Sequence, residues 1–396
     1  MDKELIELNE EAKADGKEYG KKRFIYPRIL ARLNQREHTA LVGPRGSGKT
    51  VLLKQLLAET DSAFYVSLDT SNPSEGLFKL AKELSEQGIK LLLLDEIHGY
   101  PGFDKELKKI YDFIGLKVVL TSSSSLALHE LAADLSRRVE ILEVHPFSLR
   151  EYLFFETNEK IEPMSMAILA DPARSRDYYG KVHGAETHFD EFLGGKNYPL
   201  SLGRTEYMHL FKSMLDTIIN KDLLRTGKIT HEETMNVSRL MAFLGKSPAE
   251  DMNYTSIAKN IGISKYLAEK YLVLLQKAFL VHLVSPQGNS VMKEPKVLMA
   301  PPYRLLYRDM DECIGALRED FFADSCAALD FGMTYLKTNR GEKTPDYLIG
   351  NTVFEIGGRN KGHSQFKEYK MKKKLILTQP GMMDESRRPL FFFGMF

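Results

Sequence analysis

The chain has 396 residues, more than one hydrophobic core usually spans, so roughly two to four domains are expected. Its 55 Lys and Arg against 54 Asp and Glu leave a formal net charge of +1, which excludes a protein drawn to nucleic acid or membrane by its overall field; any such partner must be met by a local patch. The two cysteines, Cys313 and Cys326, have neither disulfide-scaffold nor zinc-type spacing, no apolar run approaches ~18 residues, and MDKELIELNEEAKADGKEYGKK is too charged for a signal peptide, so the reading is a cytoplasmic protein with no membrane partner.

Residues 1 to about 22 are polar and helix-prone and are expected to form a solvated lead-in helix. FIYPRILARL follows, and then HTALVG, a short apolar strand that runs into GPRGSGKT, Gly43 to Thr50. This stretch matches G-x-x-x-x-G-K-[ST], a loop whose successive backbone N–H groups form an anion-binding concavity for nucleotide phosphates. TVLLKQLLAE has helical apolar spacing, so the loop opens a helix whose dipole faces the phosphates. Gly43, Pro44, Arg45, Gly46, Ser47, Gly48, Lys49, Thr50 and Val51 are the candidate residues for binding ATP. Lys49 would reach the β/γ-phosphates and Thr50 would offer its hydroxyl to Mg²⁺. In P-loop proteins of this layout the segment before the first strand often lines the base, which makes Phe24, Ile25 and Tyr26 candidates for that contact, with ordinary packing as the alternative.

AFYVSLDT is a second strand and PSEGLFKLAKELSEQ a helix. GIKLLLLDEIHGY is an apolar strand of the fully buried kind expected in a parallel sheet, and it ends in Asp95 and Glu96. About 45 residues after a P-loop this is a Walker B pattern: Asp95 would hold Mg²⁺ through water and Glu96 would polarise the attacking water. His98 reads as a surface histidine without a role. FDKELKKIYDFIG is helical, LKVVLTSSSS is a further strand, and VEILEVHPF is the fifth.

This order of elements resembles the AAA+ superfamily. The resemblance implies a polar sensor at the end of the fourth strand, for which Ser123 is preferred with Thr121 and Ser122 as neighbours; capping of the following helix LALHELAADL is the alternative. It also implies an arginine finger ahead of the fifth strand, Arg138, acting in trans on a neighbouring protomer of a homo-oligomer.

A narrower resemblance is carried by YPRIL, GPRGSGKT, LLLLDEIHGYPGFDKELKKIYD, LTSSSSL, LSRRVEILEVHPFSLREYL and FLGGKNYP. In this order they are similar to a large group of prokaryotic AAA+ ATPases in which the ATPase is followed by a winged helix and a restriction-endonuclease-like domain. Arg45 fits the group, whereas Arg137 stands where the group usually has glycine, which leaves open which arginine is the finger. The implied architecture is α/β: an AAA+ P-loop core over 1–148, a helical lid over 149–228, a winged helix over 229–290 and a nuclease-like domain over 291–396.

In the third segment, YTSIAKNIGISKYLAEKYLVLLQKAFLVHLVSP reads as helix, glycine turn, helix, strand. Ile257, Ala258, Ile261, Ile263, Leu267, Tyr271 and Leu274 give a helix-turn-helix core, and Gly262 lies in the turn. PQGNS is the expected wing loop, and Lys265, Lys270 and Lys277 are candidate phosphate contacts to double-stranded DNA. In the fourth segment, Glu319, Asp346 of a literal Pro-Asp, and Glu355 resemble a PD-(D/E)-x-K site, in which carboxylates hold Mg²⁺. The lysine position is Gly357, with Arg359 and Lys361 beyond it, so a vestigial site without nuclease activity is expected. Lys370 to Lys374 is a basic run, and PLFFFGMF is expected to pack within the chain. The function read from this is an ATPase that uses ATP and Mg²⁺ as a switch or motor and has DNA as a candidate partner. A nucleic-acid-binding or nuclease protein gated by ATP, or a non-catalytic ATP-bound scaffold, are the alternatives.

Overall fold

A computed structural model describes residues 3–71, 73–123, 135, 137–182, 184–225, 228–248, 252–288, 294–336, 345–359, 361 and 373–396. LALHELAADL apart from Leu135, Asn289 and Ser290 of the wing loop, and Lys370 and Lys372 of the basic run lie outside them. The chain divides into two compact units, 1–146 and 147–396.

In the first unit, β1 (His38–Val42), β2 (Ala63–Ser67), β3 (Leu91–Asp95), β4 (Lys117–Ser122) and β5 (Val139–Glu143) form an all-parallel sheet in the order β2-β3-β4-β1-β5. Continuous apolar runs such as LLLLD suit strands covered on both faces. Leu41, Tyr65, Leu93 and Val119 join a core with Leu52, Leu53, Leu56 and Leu57 of helix α2, which spans Lys49–Glu59. Residues of the opposite parity, Ala40, Leu92, Leu94, Val118 and Leu120, are buried as well. Each buried leucine side chain contributes on the order of 2 kcal/mol. Further helices are α3 (Leu77–Glu86) and α4 (Phe103–Lys109).

The N-terminal helix α1 (Lys3–Glu18) is not the solvated lead-in that its composition suggests. Leu5, Asn9, Ala12 and Gly16 form one buried stripe, and Asn9 Oδ1 accepts the amide of Tyr65 at 2.9 Å on the edge strand β2. A single polar side chain thus satisfies an edge donor that would otherwise need water. Tyr26 donates to Glu59 Oε2 at 2.6 Å at the far end of α2, so its hydroxyl is spent on packing rather than on a base contact.

In the second unit, helix α5 (Leu149–Thr157), helix α6 (Pro172–Lys181) and the turns through Lys196 share one hydrophobic core with the C-terminal sheet. Phe147, Leu149, Tyr152, Phe189 and Phe192 pack in the same cluster as Phe321, Phe354 and Phe391. Residues from Phe147 to Leu193, which include the first part of the segment expected as a lid, thus pack into the second unit's core. Helix α7 (His231–Lys246), α8 (Tyr254–Ile261) and α9 (Lys265–Lys277) follow, with Gly262 between the last two at a φ of 80°. An antiparallel ribbon of β6 (Val281–Val284) and β7 (Lys296–Met299) comes next. Since β7 pairs with β6, the boundary expected at residue 290 cuts through this ribbon and belongs beyond Met299.

Helix α10 (Met310–Ala328) covers a five-stranded mixed sheet of β8 (Met333–Tyr335), β9 (Tyr347–Ile349), β10 (Thr352–Gly357), β11 (Lys373–Thr378) and β12 (Arg387–Pro389), in the order β12-β11-β10-β9-β8. The tail Leu390–Met395 is fully buried against it, as its apolar character requires. Cys313 and Cys326 are both free and buried. Among the described residues no helix is long and apolar enough to cross a membrane.

Candidate phosphate-binding site and a second charged cluster

Residues Gly43 to Gly48 link β1 to α2 at the C-terminal edge of the first sheet, and Lys49, Thr50 and Val51 begin the helix. Two glycines are required there for different reasons. A Cβ on Gly43 would meet the carbonyl oxygen of Val144 at 2.1 Å, and Gly48 caps α2 with a φ of 87°. Lys49 Nζ donates to the carbonyls of Gly43 (2.8 Å) and Pro44 (2.9 Å), so the ammonium lies inside the curl of the loop. Burial lowers its pKa to about 8, against the opposing pull of Glu96 and Asp95. Among the described residues Ser47 Oγ has no hydrogen-bond partner, although it is buried.

Arg23, which the sequence reading passed over, braces this loop. Its guanidinium donates to the carbonyls of Ser47 (2.7 Å), His145 (2.9 Å) and Pro146 (3.2 Å), tying the loop to the exit of β5. Nothing in local spacing announces such a contact, because its partners are backbone carbonyls 24 and more than 120 residues away.

Strand order decides how the acids meet the loop. β4 lies between β1 and β3, so at ~4.8 Å per strand the end of β3 stands roughly 10 Å from the loop with the hydroxyls of β4 in between. Thr121 Oγ1 donates to Asp95 Oδ1 and accepts the amide of Glu96 at 2.9 Å; Tyr65 donates to Asp95 Oδ2 at 2.9 Å. The side chain that meets the acid is thus Thr121. Ser123, the preferred sensor, instead gives its backbone amide to Glu96 Oε2 at 3.2 Å, and its own hydroxyl is buried without a hydrogen-bond partner among the described residues. Alternation along the strand puts Thr121 and Ser122 on opposite faces, which spacing alone did not resolve. For Glu96, burial would raise the pKa, but His98, Lys49 and Arg45 outweigh it and hold the acid at about 2. His98 is not on the surface: its side chain is 7% exposed, with Nδ1 3.1 Å from Glu96 Oε2.

Arg138 is at the opposite edge of the sheet. His38 pairs with Val139 and its amide donates to the Arg138 carbonyl, so the arginine lies about 16 Å along the strand from the loop, given ~3.3 Å per residue. Its guanidinium grips Asp112 through Nε (3.0 Å) and Nη2 (2.9 Å). From there it does not serve its own chain's loop. Arg137 is exposed.

In the second unit, Glu319 of α10, Asp346 ahead of β9 and Glu355 of β10 are brought into one charged cluster. Lys296 of β7 and the Tyr347 hydroxyl both donate to Glu319 Oε2. Asp346 Oδ2 accepts the amide of Ile356 at 2.8 Å. Glu355 is fully buried, and Lys361 Nζ lies 2.6 Å from its Oε1. A Cβ on Gly357 would meet Lys361 Cδ at 2.7 Å and Cγ at 2.8 Å. The Lys361 methylenes thus lie over Gly357, the position at which the motif would have its lysine. Burial and mutual repulsion push Asp346 and Glu355 upward from the carboxylate range; burial opposes the Lys361 charge, but the acids around it win and raise its pKa. Among the described residues no three His, Cys, Asp or Glu side chains form a metal-holding group.

On α9 the expected basic stripe is largely paired within the chain. Lys265 meets Glu294 at 2.5 Å and Lys270 meets Glu233 at 2.8 Å.

Residues 35–153 match a family described as an AAA domain, and residues 198–301 match a domain of unknown function, DUF8612. The chain is 30% identical over 339 residues to the uncharacterized protein MJ1637 of Methanocaldococcus jannaschii, covering 76% of this chain and 72% of that one. It is 26% identical over 309 residues to MJ1544 of the same organism, covering 72% of this chain and 64% of that one. Replication-associated recombination protein A of Bacillus subtilis is 24% identical over 124 residues, 31% of this chain and 30% of its own. Among solved structures, the Walker-type ATPase paby2304 of Pyrococcus abyssi aligns with a TM-score of 0.43 at 14% identity, over 71% of this chain and 93% of its own. AMPPCP-bound DnaA from Aquifex aeolicus aligns with a TM-score of 0.25 at 14% identity, over 64% and 86%. With its glycine loop, its parallel five-stranded sheet and its similarity to MJ1637, the chain belongs to a family of AAA-type P-loop ATPases.

Proposed function

We propose that the first unit binds ATP with Mg²⁺ and hydrolyses it slowly, as the nucleotide-driven switch of this protein. The observation that carries this reading is the bridge at β4: Thr121 links the two acids of β3 on the strand next to the one that feeds the glycine loop. The loop amides and Lys49 bind the phosphates. Thr50 and Asp95 would supply oxygen donors of the kind Mg²⁺ takes alongside water, and Tyr65 and Thr121 orient the Asp95 oxygens. The ion supplies charge neutralisation on the phosphates when bound. Glu96, held ionised by His98, Lys49 and Arg45, acts by orienting the water. Arg138, remote from its own loop, completes the site only in a second copy of the chain.

The experiment is ATP turnover and ATP affinity for the wild-type chain and for Glu96→Gln, across protein concentration. Binding without turnover in the variant, and a rate per chain that climbs with concentration, are the expected results. Full turnover in Glu96→Gln removes the role given to that residue, and a rate independent of concentration removes the trans arginine. We read α7 to α9 with the β6–β7 ribbon as a winged helix with double-stranded DNA as its partner; with Lys265 and Lys270 paired within the chain few cations are left for phosphate, so that contact is weak and only mildly salt-dependent.

A second reading is favoured by one contact, that of Lys361 with Glu355. An ammonium on buried Glu355, with the half-buried Asp346 beside it, has the composition of a phosphodiester-cleaving site, in place of the vestigial one expected from Gly357. Incubation with supercoiled plasmid and Mn²⁺ tests it: nicking lost in both Asp346→Ala and Lys361→Ala supports the site. Intact plasmid with the wild-type chain, with and without ATP, leaves the cluster structural.

A further inference from the structure

Glu96 is held in an uncommon way. Its φ of 52° and ψ of 52° place a non-glycine residue in the left-handed region, which is adopted mainly where the surroundings enforce it. Here they do: its amide donates to Thr121 Oγ1 at 2.9 Å and its carbonyl accepts from Gly99 at 2.9 Å. Turned this way, the side chain lies against the end of β4. Oε2 accepts the Ser123 amide and faces His98 Nδ1, while Oε1 accepts no hydrogen bond among the described residues.

His98 sits in the single 3₁₀ turn Ile97–Gly99, and its ring is buried. The apolar anchor of that turn is Ile97, which is fully buried, so packing does not ask for an imidazole. Among the described residues neither ring nitrogen has a partner other than Glu96 Oε2. Buried polar atoms without partners cost stability, so their retention calls for a reason. The Nδ1 nitrogen has one charged acceptor within reach, Glu96 Oε2 at 3.1 Å.

We propose that His98 is a positioning residue for Glu96: together with the Ser123 amide it fixes Oε2, so that Oε1 is the oxygen presented to the attacking water. The imidazole itself touches neither nucleotide nor water. This inference rests on the water-orienting role given to Glu96 above.

The test compares His98→Leu, His98→Asn, Glu96→Gln and the double variant Glu96→Gln/His98→Leu for kcat, KM and ATP affinity, with melting temperature as a check on folding. Asparagine places an amide nitrogen near the position of Nδ1. His98→Leu is expected to lower kcat by about tenfold to a hundredfold, the upper end being the cost of a 1 Å misplacement of an oriented group, with KM and ATP affinity unchanged. His98→Asn recovers most of the loss, and His98→Leu adds nothing in the Glu96→Gln background. Unchanged kcat in His98→Leu beside an inactive Glu96→Gln overturns the positioning role while Glu96 keeps its own. Equal losses in His98→Leu and His98→Asn with lowered melting temperatures assign the ring to packing and also overturn it. A fully active Glu96→Gln, or a wild-type chain that binds ATP without turning it over, defeats the reading of Glu96 first and the inference with it.

Discussion

The loop-and-acid site of the first unit and the acid-and-lysine cluster of the second are built on opposite plans. The first draws on contiguous motifs at the ends of three adjacent parallel strands, where order along the sheet sets every distance. The second gathers Lys296, Glu319, Asp346, Glu355 and Lys361 from a ribbon, a helix and a mixed sheet, and its lysine lies six residues past the acid it meets. Contiguity makes a site readable; assembly across elements makes it depend on the packing that holds those elements in place. In the first unit a change at the site should therefore cost binding, and in the second it should cost stability.

The sharpest way to break that contrast is Asp320→Ala. Asp320 and Arg304 form a fully buried pair beside the second cluster, and Arg304 also donates to the carbonyls of Leu244 (2.9 Å) and Ser247 (3.0 Å) while Asp320 accepts the Met299 amide. Leaving the guanidinium buried without its acid should cost about 3–5 kcal/mol. In a denaturant titration it should lower the midpoint of the second unit and spare ATP affinity; an unshifted midpoint means that the pair does not hold the cluster's scaffold.

Next in size is Lys49→Ala, which removes charge-assisted hydrogen bonds to phosphate and should weaken ATP binding by roughly 2–3 kcal/mol in calorimetry. Lys361→Ala, with the same loss of charge in the other unit, should leave that affinity unchanged. Equal losses from the two would erase the distinction between the units.

Glu355→Gln sharpens the contrast through pH. The folded chain holds the Asp346 and Glu355 protons more tightly than the unfolded chain does, so their stabilisation is complete below the ordinary carboxylate range and is lost as pH rises toward neutrality. A neutral amide removes part of that loss. In EDTA, the variant should melt higher relative to wild type at pH 8 than at pH 5; the reverse order would mean that the Lys361 contact outweighs burial. Asn9→Ala is the smallest effect, about 1 kcal/mol, read as faster amide exchange at Tyr65 on the edge strand.

Much of the first unit was legible from its residues. GPRGSGKT and LLLLDE each carry their geometry locally, since a glycine loop after an apolar strand and acids at a buried strand's end leave few arrangements open. The readings that changed depended on sides and surfaces. Thr121 rather than Ser123 meets Asp95 because Thr121 still lies within β4 whereas Ser123 is past the strand's end, and His98 is buried beside Glu96. The solvated helix at the start became the cover of β2 through one asparagine, and the first part of the lid segment became core of the second unit.

By itself the sequence determined the glycine loop after β1 and the acids at the end of β3, because each is built from residues a few positions apart. Only tertiary structure decided which hydroxyl meets the acid, that Arg23 braces the loop, and that Lys361 lies over Gly357 and meets Glu355. Such contacts are set by how strands and helices cross in space, and a long flexible side chain reaches its partner by distance rather than by sequence spacing.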